Sequence, residues 1–234
     1  MEVAISGRDK KDVELLKKSM NLFKGFCKLN ENNPEIVISL GGDGSFLYAE
    51  RKFPGVPKLI LKDKSICKKC NKGELKVLVK KLFNKEYSIK SYFKVEAIIK
   101  KNGKLIKKIG SNDIVISNRF PYEALRFNLK INKMNFYKDV IGDGIVVSTF
   151  FGSSAYFYSI TRKKFNKDFG VAFNNSTEKI KPLILNNLDL NIKIMRSEAY
   201  VSSDNDSNMI LIKKGDRVRI KKSKELLKII NIKI

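Results

Sequence analysis

Two periods divide the chain. Up to about residue 88, short continuous apolar runs alternate with stretches whose apolar residues recur every three or four positions. The runs are "EVAIS" (2–6), "EIVISL" (35–40) and "VPKLIL" (56–61), and strands that read as apolar throughout are those covered on both faces of a parallel sheet. After Asp9, a residue suited to a helix cap, Val13, Leu16, Met20 and Phe23 share one helical face. "SFLYAERKF" (45–53) predicts a second helix after a glycine turn, and Leu75, Leu78, Val79 and Leu82 mark a third. This is the βαβ rhythm of a doubly wound parallel half-domain.

Past residue 88 the period becomes two. "YFKVEAIIKKNGKLIKKIG" (92–110) holds Asn102-Gly103 between strand-like runs, a hairpin signal. In "ALRFNLKIN" (124–132) Leu125, Phe127, Leu129 and Ile131 alternate with polar residues, as a half-buried antiparallel strand requires. "LDLNIKIM", "NMILIKKGDRVRIKK" and "LLKIINIKI" continue the pattern, with Lys214-Gly215-Asp216 as a turn. The expected fold class is an α/β N-terminal domain, residues 1–88, followed by a β-rich C-terminal domain, residues 89–234, whose tail can return to the first.

Composition narrows the chemistry more than the fold. No apolar run approaches the roughly 20 residues of a membrane span, and "MEVAISGRDK" lacks the charged leader and apolar core of a signal peptide, so a cytoplasmic protein without a membrane partner is expected. The chain has no histidine, which excludes Ser-His-Asp and Cys-His mechanisms and leaves acid–base work to carboxylates, lysine, tyrosine or water. Its cysteines are Cys27, Cys67 and Cys70; the "CKKC" pair lacks the further ligands of a structural zinc site, so no metal site is expected. A net charge of +24 attracts polyanions or phosphorylated substrates. Lysine, however, is spread along the chain in the company of isoleucine and asparagine, as biased base composition produces, and nucleic acid is not expected as the partner.

Three stretches could carry chemistry. Gly41-Gly42-Asp43-Gly44-Ser45 follows a buried strand at the carboxyl edge of the predicted sheet; its glycines admit a phosphate close to the backbone, and Asp43 could take a proton, hold magnesium, or simply cap a helix. "DGIVVSTFFGSSAYFYS" (143–159) leads from an acid-glycine pair into a loop crowded with hydroxyls and ending at Tyr156, suited to a sugar or phosphate edge or to a capped helix. Asn112-Asp113, just before an apolar strand, could read ribose hydroxyls or form a turn.

In this order and spacing, "GGDGS", "ND" and "DGIVVSTFFGSSAY" resemble the hallmarks of the NAD kinase family: a GGDG(T/S) turn, an Asn-Glu or Asn-Asp pair, and a DG-x-x-x-ST-x-x-GST-A-Y stretch. Looser similarity runs from about residue 36 to the C-terminus. The resemblance implies a two-domain NAD kinase-like fold with its active site in the interdomain cleft, and transfer of the ATP γ-phosphoryl group, with Mg2+ or another divalent cation, to the 2′-hydroxyl of the adenosine ribose of NAD. It also implies Asp43 as the base and Gly41, Gly42, Gly44 and Ser45 at the nucleotide. Asn112, Asp113, Asp143, Ser154, Ala155, Tyr156 and Ser159 would form the dinucleotide site, in a homodimer or homotetramer. The chain departs from the pattern at Phe150-Phe151, which replace Pro-Thr, at Ser154, which replaces Thr, at "ITRKKF" (160–165) and at "KLILKDKSICKK" (58–69), which replace glycine-rich segments. A catalytically reduced nucleotide-binding regulator of the same fold, and a kinase of a lipid or sugar hydroxyl, are the alternatives.

Overall fold

The structure, a computed structural model, describes residues 1–7, 9–20, 27–62, 69–101, 103–132 and 135–233. Phe23, Cys67 and Asn102, which the sequence singled out, lie outside these. The chain divides into two compact units: residues 1–92 with 226–234, and residues 93–225.

In the first unit the strands β1 (Glu2–Gly7), β2 (Lys28–Leu29), β3 (Ile36–Leu40) and β4 (Lys58–Leu61) pair in parallel in the order β2-β1-β3-β4. The end of the long strand β16 (Arg217–Asn231) adds to β4, with Ile229 opposite Lys58. Helices α1 (Lys10–Met20) and α3 (Leu75–Phe83) cover one face, where Leu16, Leu78, Val79 and Leu82 bury against Val3, Ile5, Ile36, Ile38, Leu59 and Leu61. Helix α2 (Asp43–Lys52) covers the other, where Ala49 and Phe53 meet Ala4 and Val37. Both faces of these strands are therefore buried, which is why their sequences show no alternation. Asn71 fastens the end of β16: its Nδ2 donates to the carbonyls of Ile60 and Ile230 at 3.4 and 3.0 Å, and its Oδ1 accepts from the Ile232 amide at 2.9 Å.

The second unit is a sandwich with antiparallel ladders. One sheet has the order β12-β11-β10-β7-β14-β15, from β7 (Asp113–Asn118), β10 (Gly144–Thr149), β11 (Phe169–Asn174), β12 (Leu183–Leu185), β14 (Ala199–Ser203) and β15 (Ile210–Ile212). The other joins β13 (Asp189–Arg196) to the start of β16 on one side and to β8 (Leu125–Ile131) and β9 (Asn135–Gly142) on the other. The hairpin of β5 (Ser88–Lys101) and β6 (Lys104–Gly110) has Lys101 opposite Lys104, and Gly103 carries a φ of +74°, as the predicted turn requires. Leu125, Phe127, Leu129 and Ile131 point into the shared core, each 1% exposed or less. A short helix α4 (Tyr156–Thr161) covers the outer face of β7, β10 and β11 through Phe157, against Val115, Val146 and Ala172. The middle of that sheet is thus buried on both sides, and "DIVIS" and "GIVVST" read as unbroken apolar runs.

One element differs from the sequence reading. "RVRIKK" and the first six residues of "LLKIINIKI" form not two strands but one, β16 (Arg217–Asn231), because no glycine or proline interrupts it. The turn at Lys214-Gly215-Asp216 exists, with Gly215 at φ +94°, but β15 and β16 on either side of it join different partners, β14 and β13.

Candidate functional site

In the first unit, β3 ends at Leu40 and the chain turns at Gly41, whose φ of +124° suits glycine. The Gly41 amide donates to the carbonyl of Leu61 on the neighbouring strand at 3.0 Å. Gly42 is the N-cap of α2 and offers no side chain; the amides of Ser45 and Phe46 return to its carbonyl at 3.0 and 3.2 Å. Asp43 is therefore not the cap but the first helical residue, with its carboxylate in the first turn of α2 at the carboxyl edge of the sheet. That is where a helix dipole favours negative charge and first-turn amides can meet an anion. Gly41 and Ser45 are buried, and Gly42, Asp43 and Gly44 between them are half-buried.

A buried ion pair that the sequence did not announce anchors the far end of α2. Lys58, fully buried at the start of β4, pairs with Glu50 and donates to the Phe53 carbonyl; Glu50 Oε1 accepts from the Gly55 amide at 3.0 Å. A lysine and a glutamate eight positions apart look like solvated surface charge, and only the return of the chain into β4 reveals their meeting.

In the second unit the Asn112-Asp113 pair sits in the turn from β6 to β7, both residues buried. This turn is pinned on two sides. The Asp204 carboxylate accepts three successive amides, from Ser111 at 2.8 Å, Asn112 at 2.7 Å and Asp113 at 3.1 Å. From β10, the Thr149 hydroxyl donates to the Ser111 carbonyl at 2.6 Å, the Thr149 amide to the Asn112 carbonyl at 2.8 Å, and the Ser148 hydroxyl to the same carbonyl at 3.1 Å. Gly152 packs so closely that a Cβ there would fall 2.3 Å from the Asn112 oxygen. Desolvation pushes the Asp204 carboxyl above its ordinary pKa, against the pull of the three amides and of Lys94.

The same turn is thus a meeting point of two of the sequence stretches, since Ser148, Thr149 and Gly152 belong to 143–159. Thr149 also caps the 3-10 turn Phe150–Gly152 by accepting the Gly152 amide at 3.2 Å. Phe150 points its ring at Phe93, 6.2 Å away edge-on, and Phe93 in turn lies 4.8 Å from buried Phe169. Ser154 is half-buried and Ala155 is the N-cap of α4. Phe157 faces inward and Tyr156 outward, 38% exposed.

Asp143 and Tyr156 meet at the other end of these strands from the Asn112-Asp113 turn: β10 sets Ser148 opposite Asp113 but Gly144 opposite Ser117. The Asp143 carboxylate accepts from Asn175 Nδ2 at 3.0 Å, while Asn174 Nδ2 donates to the Tyr156 hydroxyl at 3.3 Å. The adjacent Asn174-Asn175 pair therefore links the start of β10 to α4. Gly144 follows Asp143 because its φ is +137° and a Cβ would collide with the Ile116 carbonyl. Ser159 turns its hydroxyl back to the Tyr156 carbonyl at 2.7 Å, so it shapes α4. Asp204, Asn174 and Asn175, which bond the predicted site residues, are ones that sequence reasoning missed. "SSDND" reads locally as a turn, and its partners lie more than ninety positions earlier.

Among the described residues, no three carboxylate, thiol or imidazole side chains converge on a point where they could hold a metal, and no helix is long and apolar enough to cross a membrane.

Known proteins resemble the chain along most of its length. The family model described as the ATP-NAD kinase C-terminal domain matches residues 111–232. The NAD kinase of Ruminiclostridium cellulolyticum is 31% identical over 217 residues, covering 86% of this chain and 74% of that protein. The bifunctional NADP phosphatase/NAD kinase of Methanococcus maripaludis is 28% identical over 84% of this chain, which spans only 37% of that longer protein. The fold is that of solved NAD kinases. An Archaeoglobus fulgidus NAD kinase in complex with ATP superposes with a TM-score of 0.79 at 16% identity, covering 98% of this chain and 93% of that one. The yeast NADH kinase complexed with NADH gives 0.85 at 14%, covering 100% and 84%.

Proposed function

The chain belongs to the NAD kinase family, and from that premise we propose that it transfers the γ-phosphoryl group of ATP to the 2′-hydroxyl of the adenosine ribose of NAD, giving NADP and ADP. The observation that carries the reading is the pinned Asn112-Asp113 turn, two polar side chains on a backbone fixed by hydrogen bonds with Asp204, Ser148 and Thr149, beside the hydroxyl-rich segment that the family pattern shares. A ribose needs that combination: fixed polar groups, with little left to order on binding.

In this reading Asn112, Asp113, Asp143, Tyr156 and the neighbouring Ser154 and Ala155 hold the dinucleotide, and the Gly41-Gly42 turn with the start of α2 receives phosphate. Asp43 accepts the 2′-hydroxyl proton as that oxygen bonds to the γ-phosphorus; the bond to the bridging oxygen breaks and ADP leaves. Phosphoryl transfer needs positioning and charge stabilisation more than covalent help, so an enzyme without histidine can perform it. A divalent cation brought on the ATP phosphates would supply charge stabilisation there and would need few protein ligands.

The test is formation of NADP from NAD and MgATP by the purified protein. Activity is expected, with Asp43→Asn lowering kcat by roughly 100-fold or more, the usual loss for a general base. Intact NAD binding without any NADP would replace the reading with that of a dinucleotide-binding regulator.

A further inference from the structure

The loop between β14 and β15 takes no part in the family pattern read from the sequence, yet it carries the carboxylate that grips the Asn112-Asp113 turn. Asp204 opens this loop, and its own amide donates to the Asp113 carbonyl at 3.1 Å, so that loop and turn exchange hydrogen bonds in both directions. Three amides in succession aimed at one carboxylate need the chain curled around that charge, a small anion nest occupied by a side chain instead of a ligand. Gly110, just before the turn, keeps the curl open: a Cβ there would lie 2.2 Å from the Asp113 carbonyl oxygen and 3.3 Å from Asp204 Oδ1.

The far end of the loop is fastened separately. Lys108, on β6 and only 8% exposed, donates from Nζ to Asp206 Oδ2 at 2.7 Å and to the Asn208 carbonyl. The Asp206 amide closes a turn onto the Ser203 carbonyl at 3.0 Å. Residues 204–208 therefore form a strap across the β6–β7 connection, fixed to the turn by Asp204 and to the strand before it by Lys108. A buried cation pairing with the strap is costly to desolvate unless its partners stay in place, so the arrangement penalises displacement of the loop.

We infer that Asp204 is a positioning residue of the dinucleotide site, setting the backbone that presents Asn112 and Asp113, with Lys108 as the second anchor of the same strap. The inference rests on the reading of that turn as a dinucleotide subsite. Asp204 touches no substrate in this scheme; it acts through the three amides it accepts.

The experiment pairs steady-state kinetics with hydrogen exchange of the full chain, comparing wild type with Asp204→Asn and Lys108→Met. Asparagine offers one oxygen and turns an N–H2 toward amides that are themselves donors, so the turn loses part of its hold. The expected result for Asp204→Asn is a KM for NAD raised about tenfold, a KM for ATP changed less than twofold, and exchange of the 111–113 amides accelerated at least tenfold. Lys108→Met, the variant that keeps the carboxylate, is expected to move the same quantities in the same direction by about threefold. Equal rises in both KM values, or unchanged exchange at 111–113 in both variants, would overturn the inference. A wild-type protein that makes no NADP would defeat the kinase reading instead, and the exchange measurement would still decide whether Asp204 holds the turn.

Discussion

Gly152 shows how little room the candidate site leaves at the level of single residues. It lies against the backbone of Asn112, not against a side chain that could swing away, so an added methyl group must push two main-chain segments apart. Gly152→Ala is expected to cost about 1–3 kcal/mol, the range for overpacking a rigid site, and to lower the melting temperature by several degrees. Thermal unfolding with and without NAD checks this, since NAD binding should weaken in the same variant. The glycine was visible in "GSSAY" as part of a pattern, but its reason was not, because the reason is Asn112, forty positions away. Asp43 was legible in a different way. Its readings from sequence were base, magnesium holder and helix cap, and the structure gives the cap to Gly42. Glu50, Lys58 and Asp204 were illegible, since a burial that depends on a distant segment leaves no local trace.

At the level of elements, period was the most informative signal. Strands buried on one face alternated and strands buried on both did not, so β8 and β10 could each be read before any contact was known. What period could not supply was pairing, as β15 and β16 show by parting at a turn that resembles a hairpin. Pairing also decides electrostatics. Glu96 on β5 is nearly buried, yet Lys107 on β6 and Lys221 on β16 reach it at 3.0 and 3.1 Å. Burial alone would raise its pKa; the two lysines outweigh that and hold it below the ordinary carboxylate value. A carboxyl whose folded pKa is depressed stabilises the fold above its unfolded pKa of about 4.3, and that contribution is lost as pH falls through the folded value. Glu96→Gln is therefore expected to lower the melting temperature at pH 7 and to lower it less at pH 3. Melting curves across that range decide it, and a variant that loses as much at pH 3 would refute it.

For the whole molecule, the change of period near residue 88 comes five positions before the second unit starts at Phe93, but the return of the chain to the first unit after Glu225 had only a tail of apolar residues to signal it. That return has weight: Ile230 and Ile232 belong to the first unit's core, and Asn71 bonds the backbone of both. A chain ending at Glu225 is expected to lose most of its helical circular dichroism, because α1, α2 and α3 all stand on the sheet that β16 helps complete. It should keep the cooperative unfolding of the second unit, whose own strands remain. Circular dichroism of that fragment against the full chain is the measurement, and retained helicity would show the last strand to be dispensable. The same connectivity sets an order of birth. During synthesis every residue of the second unit emerges from the ribosome before the closing strand of the first, so the unit that is begun earliest is the last that can finish folding.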